Sequence, residues 1–254
     1  GHYSSANIFR VGKNKFRIVI AVTQDTDPRL VDTSEKFKQI THNFYVLPNL
    51  SRNIELWSNY VDYLISFYNA EDIYIAGSEY IYDQLPAIKS KHPGIKIIDQ
   101  LYNTTGHIHN NRKYSKFIDM NIVENSSIVD FLIKEKESDS KIKLITNGVD
   151  TQDKFNSERK EALKKNLEGN EIRIGFLGRF SPEKAPDLFL IAANQLKGNK
   201  NLRFVVGGVG PMEYELKTYV YENRLEEIVE FVGYVNSEEF LANIDLLVLP
   251  SRYD

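Results

Sequence analysis

The sequence contains no cysteine, which excludes disulfides, thiol nucleophiles and thiolate-held metal at once. Glycine and proline number only 14 and 8 in 254 residues, too few for a collagen-like or low-complexity chain. Neither sign of charge dominates. With 32 basic and 35 acidic residues the formal net charge is -3, so no global positive field recruits nucleic acid or anionic lipid, and any anion site has to be local. No apolar run approaches the roughly 20 residues of a membrane span, and the start lacks the charged and apolar regions of a secretory signal. A soluble, cytoplasmic protein is expected, with no membrane span and peripheral contact at most. What is present is ordinary for a globule: 42% hydrophobic and 26% charged residues, in a length that suits one large or two small domains.

Short β-rich apolar runs alternate with longer amphipathic stretches from residue 16 onward, the pattern of βαβ units and a mostly parallel sheet, so the fold class is α/β. In the first half, strands are expected at Phe16–Val22, Phe44–Leu47, Asp72–Ala76, Ile95–Ile98, Met120–Val123 and Ile142–Thr146. Helices are expected near Ile54–Phe67, Ser78–Lys91 and Ser126–Glu135, with Ser78 and Ser126 as N-caps. The turn-forming Asn147-Gly148 pair and a charged stretch with almost no apolar residue before Leu163 place a domain boundary at 149/150. The alternation then restarts: strand Ile172–Leu177, helix Glu183–Leu196, strand Leu202–Val206, helix Met212–Asn223, strand Ile228–Val232, helix Ser237–Asn243 and strand Leu246–Leu249. A parallel sheet needs both faces covered, and no helix follows the last strand, so the second domain reads as incomplete.

Several residues offer chemistry. The strand ending at Gly178 is followed by Arg179, then by Pro182 at the expected first helical position and Lys184 in the expected first turn. A lysine there opposes the helix dipole by about 0.3 to 1 kcal/mol, which makes sense if a bound anion is shared with the free N–H groups. The plain alternative is a pair of solvated cations beside Glu183. Gly207-Gly208-Val209-Gly210-Pro211 opens the following helix; it lacks the full dinucleotide fingerprint, and a tight strand-to-helix turn explains it better than a phosphate loop. Phe231-Val232-Gly233-Tyr234 ends the third strand at the same edge, where its backbone could line a flat base. Trp57 with Leu56, Tyr60 and Leu64 follows helical spacing and reads as core, and Lys134-Glu135-Lys136-Glu137 as an exposed helix end.

The series Asn147-Gly148-Val149-Asp150, Gly178-Arg179 with Lys184, Gly208-Val209-Gly210-Pro211, Phe231-Val232-Gly233-Tyr234 and Asp245-Leu246-Leu247-Val248-Leu249-Pro250-Ser251 resembles, in order and spacing, the group 1 glycosyltransferases of the GT-B fold. The first 90 residues resemble the amino-terminal domain of bacterial relatives that build surface polysaccharide. The resemblance implies two Rossmann-like domains facing across a cleft: residues 1–149 on the acceptor side, and a partial domain over 150–254 that holds a nucleotide sugar. It implies that Gly178, Arg179 and Lys184 bind the donor diphosphate. Gly208, Gly210, Val232, Gly233 and Tyr234 would line the nucleotide, and Asp254 would approach the donor sugar. The family's second carboxylate would fall beyond Asp254, so the chain resembles a fragment. Fixed cations that favour charge developing on the leaving diphosphate lower the barrier and can replace a metal ion, so no metal and no further cofactor are expected.

On the acceptor side the family often carries a His after a strand facing the cleft. Tyr102 occupies that place, and His107 or His109 reach it from the same loop; a solvated pair of loop histidines is the plain alternative. The implied reaction is retaining transfer of a sugar from a nucleotide diphosphate donor to a polysaccharide, lipid-linked or protein-linked acceptor. A nucleotide-sugar epimerase and a non-catalytic nucleotide-binding or scaffold module on the same fold are the alternatives.

Overall fold

The computed structural model describes residues 2–25, 32–146, 148 and 171–252, with side chains from Ser5 onward. Asn147, Val149, Asp150 and Asp254 lie outside the described residues. The chain divides into two compact units, whose described residues lie within 2–148 and 171–252. Each is a parallel α/β unit, the expected fold class.

The first unit runs α1 (His2–Gly12), β1 (Ile20–Val22), α2 (Ser34–Lys38), β2 (Phe44–Val46), α3 (Leu47–Leu50), α4 (Glu55–Tyr68), β3 (Asp72–Ile75), α5 (Glu79–Lys91), β4 (Lys96–Leu101), α6 (Ile108–Lys113), β5 (Met120–Val123), α7 (Ser126–Lys134) and β6 (Ile142–Leu144). β1 pairs with β2, and β3, β4, β5 and β6 form a four-stranded sheet in chain order, all parallel. The expected strand Phe16–Val22 shortens to β1, because residues up to Phe16 close a turn on Gly12 and leave Phe16 exposed. Ser78 caps α5 as expected, its hydroxyl accepting from Ile81 N at 3.4 Å. The expected cap Ser126 is instead the first residue of α7; the cap is Asn125, whose side chain accepts from Ile128 N at 3.1 Å. An amide at the extended position before the helix reaches the third N–H as well as a hydroxyl does. Helices α1, α2, α3 and α6 have no counterpart in the expected elements. All four have eleven residues or fewer.

On α4 the buried face is Trp57, Val61, Leu64 and Ile65, while Leu56 and Tyr60 are exposed, so the expected core stripe is turned by one residue. Trp57 packs edge-on to Tyr80 and donates its indole N–H to Ser51 O at 2.8 Å. At the end of α7, Lys134, Glu135 and Lys136 are exposed as expected, and Glu137 alone is not: Arg112 holds it at 2.9 Å and its side chain is only 9% exposed.

The second unit runs β7 (Ile172–Leu177), α8 (Pro186–Gln195), β8 (Leu202–Gly207), α9 (Glu213–Glu222), β9 (Val229–Gly233), α10 (Ser237–Ala242) and β10 (Leu246–Leu247). Its sheet is parallel in the order β10-β7-β8-β9. The chain therefore steps away from β7 in one direction through β8 and β9 and then returns to β7's other side. That reversal between β7 and β10 is the topological switch point, beside whose carboxyl edge such sheets bind ligands. The core is aromatic: Phe176, Phe180, Phe189 and Phe204 are all but fully buried and touch in sequence. Burying each side chain contributes roughly 1.5 to 3 kcal/mol. Among the described residues of the chain, no helix is long and apolar enough to cross a membrane.

Candidate functional site

At the switch point the chain after β7 makes a compact loop, and the residues expected to hold an anion lie on it. Gly178 N donates to Gly207 O at 3.0 Å, and Phe180 N to Val209 O at 3.0 Å, so the loop continues the β7–β8 pairing past the strand ends. Met212 N then donates back to Phe180 O at 3.1 Å. Two glycines allow this approach. Gly208 sits at φ +137, where a Cβ would lie 1.9 Å from Gly178 O, and a Cβ on Gly210 would lie 2.5 Å from Phe180 O. Both glycines thus carry the backbone of the Arg179 loop. That is the turn reading of the sequence, and no other residue type fits.

Lys184 is not in the first turn of a helix. Ser181 O accepts from Lys184 N at 3.1 Å and from Ala185 N at 3.2 Å, closing a turn over Pro182, and Ala185 adopts a left-handed φ of 53. α8 then starts at Pro186, a second proline better placed for the first helical position. The α8 terminus is also already occupied. The Arg252 guanidinium, with Nη1 at 2.9 Å and Nη2 at 2.5 Å, holds the Asp187 carboxyl below the usual carboxylate range against the burial that raises it, and the N–H groups of residues 187 and 188 add to this. A shared anion on that helix end is therefore corrected: the anion-binding candidates belong to the loop itself.

On that loop Arg179 is exposed and Lys184 half-buried. Glu183 lies between them in sequence. Burial pushes its carboxyl up, but the Ser181 hydroxyl at 2.5 Å and the charges of Arg179 and Lys184 outweigh this and hold it low. Arg252 fastens the same loop from outside: its N–H donates to Glu183 O at 2.8 Å and its Nη1 to Pro182 O at 3.0 Å. Sequence reasoning missed Arg252, since an arginine two residues after Pro250 carries no local mark of its partner 65 residues earlier.

Of the residues expected to line a nucleotide, Gly233 has φ +68 and open space where a Cβ would stand, and its carbonyl accepts from Gly208 N at 2.7 Å. Tyr234 is 59% exposed beside it, whereas Val232 packs with Val205, Phe240 and Ile244.

In the first unit the carboxyl edge of β4 carries the other expected residues. Tyr102 does not stand open. Its hydroxyl lies 2.7 Å from Ser5 Oγ and 3.1 Å from Gln100 Oε1, in a polar row completed by Tyr74. His107 stands at the N-cap position of α6 without a side-chain cap bond, and its ring lies over Gly77, Nε2 only 3.4 Å from where a Cβ would be. Its Nδ1 is buried, has no hydrogen bond among the described residues, and lies 4.0 Å from Glu79 Oε1. His109 is the second residue of α6, exposed, with Nδ1 2.6 Å from Gly106 O. The structure thus separates the pair: His107 faces the edge next to a carboxylate, and His109 is a surface residue. Among the described residues no three His, Asp or Glu side chains gather as a metal-ligand set.

Sequence reasoning also missed Asp99, although an acid inside the apolar run Ile95–Leu101 was a signal. Asp99 is fully buried, and its Oδ2 accepts from Tyr82 Oη at 2.7 Å and Asn111 Nδ2 at 2.6 Å. Its Oδ1 has no partner among the described residues. Burial raises the carboxyl to about 6, against those two hydrogen bonds and the Arg112 charge. A carboxyl that holds its proton more tightly when folded favours the fold most below its unfolded value and loses that contribution as pH rises through about 6. Stability in urea is therefore expected to fall from acid toward neutral pH, with a shallower fall in Asp99→Asn; equal slopes would show that Asp99 does not titrate in this window.

Comparison with known proteins locates the chain. Residues 133–254, a little under half of it, match the family model for glycosyl transferases group 1. A glycogen synthase of Hydrogenovibrio crunogenus is 32% identical over 92 residues, 35% of this chain and 18% of that protein. An uncharacterized glycosyltransferase, MJ1607, of Methanocaldococcus jannaschii is 25% identical over 128 residues, 46% of this chain and 32% of that one. These alignments thus span a third or less of the curated relatives' length. Among solved structures, Anabaena HepE in complex with UDP matches over 99% of this chain and 71% of its own, with a TM-score of 0.68 at 16% identity. Sucrose-phosphate synthase from Thermosynechococcus elongatus matches over 100% and 71%, with a TM-score of 0.70 at 13% identity. At these identities the likeness is one of fold.

Proposed function

We propose that the chain is part of a retaining GT-B glycosyltransferase that takes its sugar from a nucleoside diphosphate donor. The observation that carries this is the loop Gly178–Ala185, which sets Arg179 and Lys184 at the switch point of a parallel sheet, inside the segment that matches the group 1 family. Breaking the anomeric C–O bond leaves negative charge on the departing diphosphate, and cations already in place favour that charge without reorganising. Held by Arg252 and by the Gly208–Gly210 turn, this loop is rigid enough to offer such a preset field. In this reading no metal ion is needed for that step. Gly233 and Tyr234 border the base and ribose, and Asp254 approaches the sugar. On the acceptor side His107, backed by Glu79, serves as the polar group nearest the incoming hydroxyl; the acceptor is a glycan, lipid-linked or protein-linked hydroxyl of the kind bacterial surface polymers use.

Titration calorimetry with UDP tests the donor half of this reading, UDP being the nucleotide in the HepE complex. Saturable binding to the chain is expected. No heat at millimolar UDP, together with no thermal shift, would overturn the assignment, since binding at a hundredfold excess over Kd stabilises by about 2.7 kcal/mol.

A further inference from the structure

Asp99 sits where two helix starts meet. On α5, Tyr82 is three residues after Glu79; on α6, Asn111 is four residues after His107. Each spacing is about one turn, so each donor to Asp99 lies beneath the residue that faces the edge. Both donors converge on one atom, Oδ2, at 2.7 and 2.6 Å. Asn111 is bound twice: its backbone N–H also donates to His107 O at 3.0 Å, so the same residue joins the carboxylate to the His107 peptide. Asn111 is further locked by Asn121 Oδ1 at 2.7 Å and by Arg112 Nε at 2.7 Å, and Arg112 in turn holds Glu137 at 2.9 Å. Nothing comparable supports Glu79 or His107 from the solvent side among the described residues, where their only mutual contact is the 4.0 Å approach of Nδ1 to Oε1.

We infer that Asp99 is a positioning residue whose single acceptor oxygen, shared by Tyr82 and Asn111, sets the separation of α5 and α6 and with it the meeting of His107 and Glu79. It touches no substrate; it acts through the two helices. The inference rests on the proposed acceptor-side role of His107 for its functional meaning, but its geometry stands without it. Because one oxygen accepts both bonds, asparagine at this position keeps the node, with its amide nitrogen in the place of the unpartnered Oδ1. Alanine removes it.

The experiment is a comparison of the His107 ring-proton resonances in the whole chain for the parent, Asp99→Ala, Asp99→Asn and Tyr82→Phe, with His109 as internal reference on the same helix. The expected result is loss of the distinct His107 shift in Asp99→Ala, recovery in Asp99→Asn, and a partial shift in Tyr82→Phe, with His109 unmoved throughout. A folded Asp99→Ala with an unchanged His107 resonance would overturn the inference, and so would equal movement of His107 and His109, which marks a general loosening. Should Asp99→Ala fail to fold, Tyr82→Phe decides alone, since it deletes one hydroxyl and keeps the ring: no shift at His107 overturns the inference. The measurement uses neither donor nor acceptor, so its failure leaves the sugar-transfer proposal standing, and an absence of UDP binding leaves this inference standing.

Discussion

Replacing Gly208 with alanine is expected to destabilise the second unit by about 3 kcal/mol or more, the upper range for a backbone clash joined to a strained φ. The Cβ would fall 1.9 Å from the carbonyl oxygen of Gly178 and 2.9 Å from its carbon, distances at which backbone must move. The backbone that must move is that of the Arg179 loop, pinned at Gly178 and Phe180 to the strand-end peptides of β8. The φ of +137 would itself strain any side chain. Relief therefore requires breaking the Gly178–Gly207 and Gly208–Gly233 hydrogen bonds, both of which close the carboxyl edge of the sheet. Hydrogen exchange of β8 and β9 amides, with urea unfolding followed by circular dichroism, measures the effect. Gly198→Ala is the control, because nothing lies within 4 Å of its added Cβ. Such an open position is expected to change stability by no more than about 0.5 kcal/mol, and a similar small change at Gly208 would contradict the packing described.

The second large effect is on binding. Arg179→Ala and Lys184→Ala are each expected to weaken UDP binding by about 1.5 to 3 kcal/mol, roughly ten- to 150-fold, the range for hydrogen bonds to a charged group. Arg179 is exposed, so stability in Arg179→Ala should stay near that of the parent, which separates lost contact from lost structure. Both charges also act on Glu183, so removing one lets that carboxyl protonate more readily and changes the other's surroundings. The double variant need not show the sum of the single losses. Calorimetry on the three variants checks this; unchanged affinity in both single variants would place the diphosphate elsewhere.

Much of the parallel scaffold was legible in the sequence, and the reason is visible strand by strand. β7 matches its expected span residue for residue, because its buried centre Ile174–Phe176 is apolar and Gly178 bounds it as a turn residue. α4 and α5 fall within a residue of expectation since fourteen and thirteen residues carry a full periodic signal. The start of α8 was not legible. Two prolines, Pro182 and Pro186, compete for the first helical position, and the choice depends on a left-handed Ala185 held by Ser181 O, which no local propensity announces. The candidate site was legible where it depends on strand ends, as with Arg179, and illegible where it depends on bonds across the fold. Arg252 with Asp187 and Asp99 with Asn111 are of the second kind. Such pairs are chosen by three-dimensional neighbours, and a single sequence shows only that a charge is present.

Arg252 ties the loop down at two points. It is anchored on the segment leaving β10, and its guanidinium grips Pro182 O and the Asp187 carboxylate, on opposite sides of Lys184 in sequence. Truncating this one side chain would therefore release the backbone before the lysine and the helix start after it together.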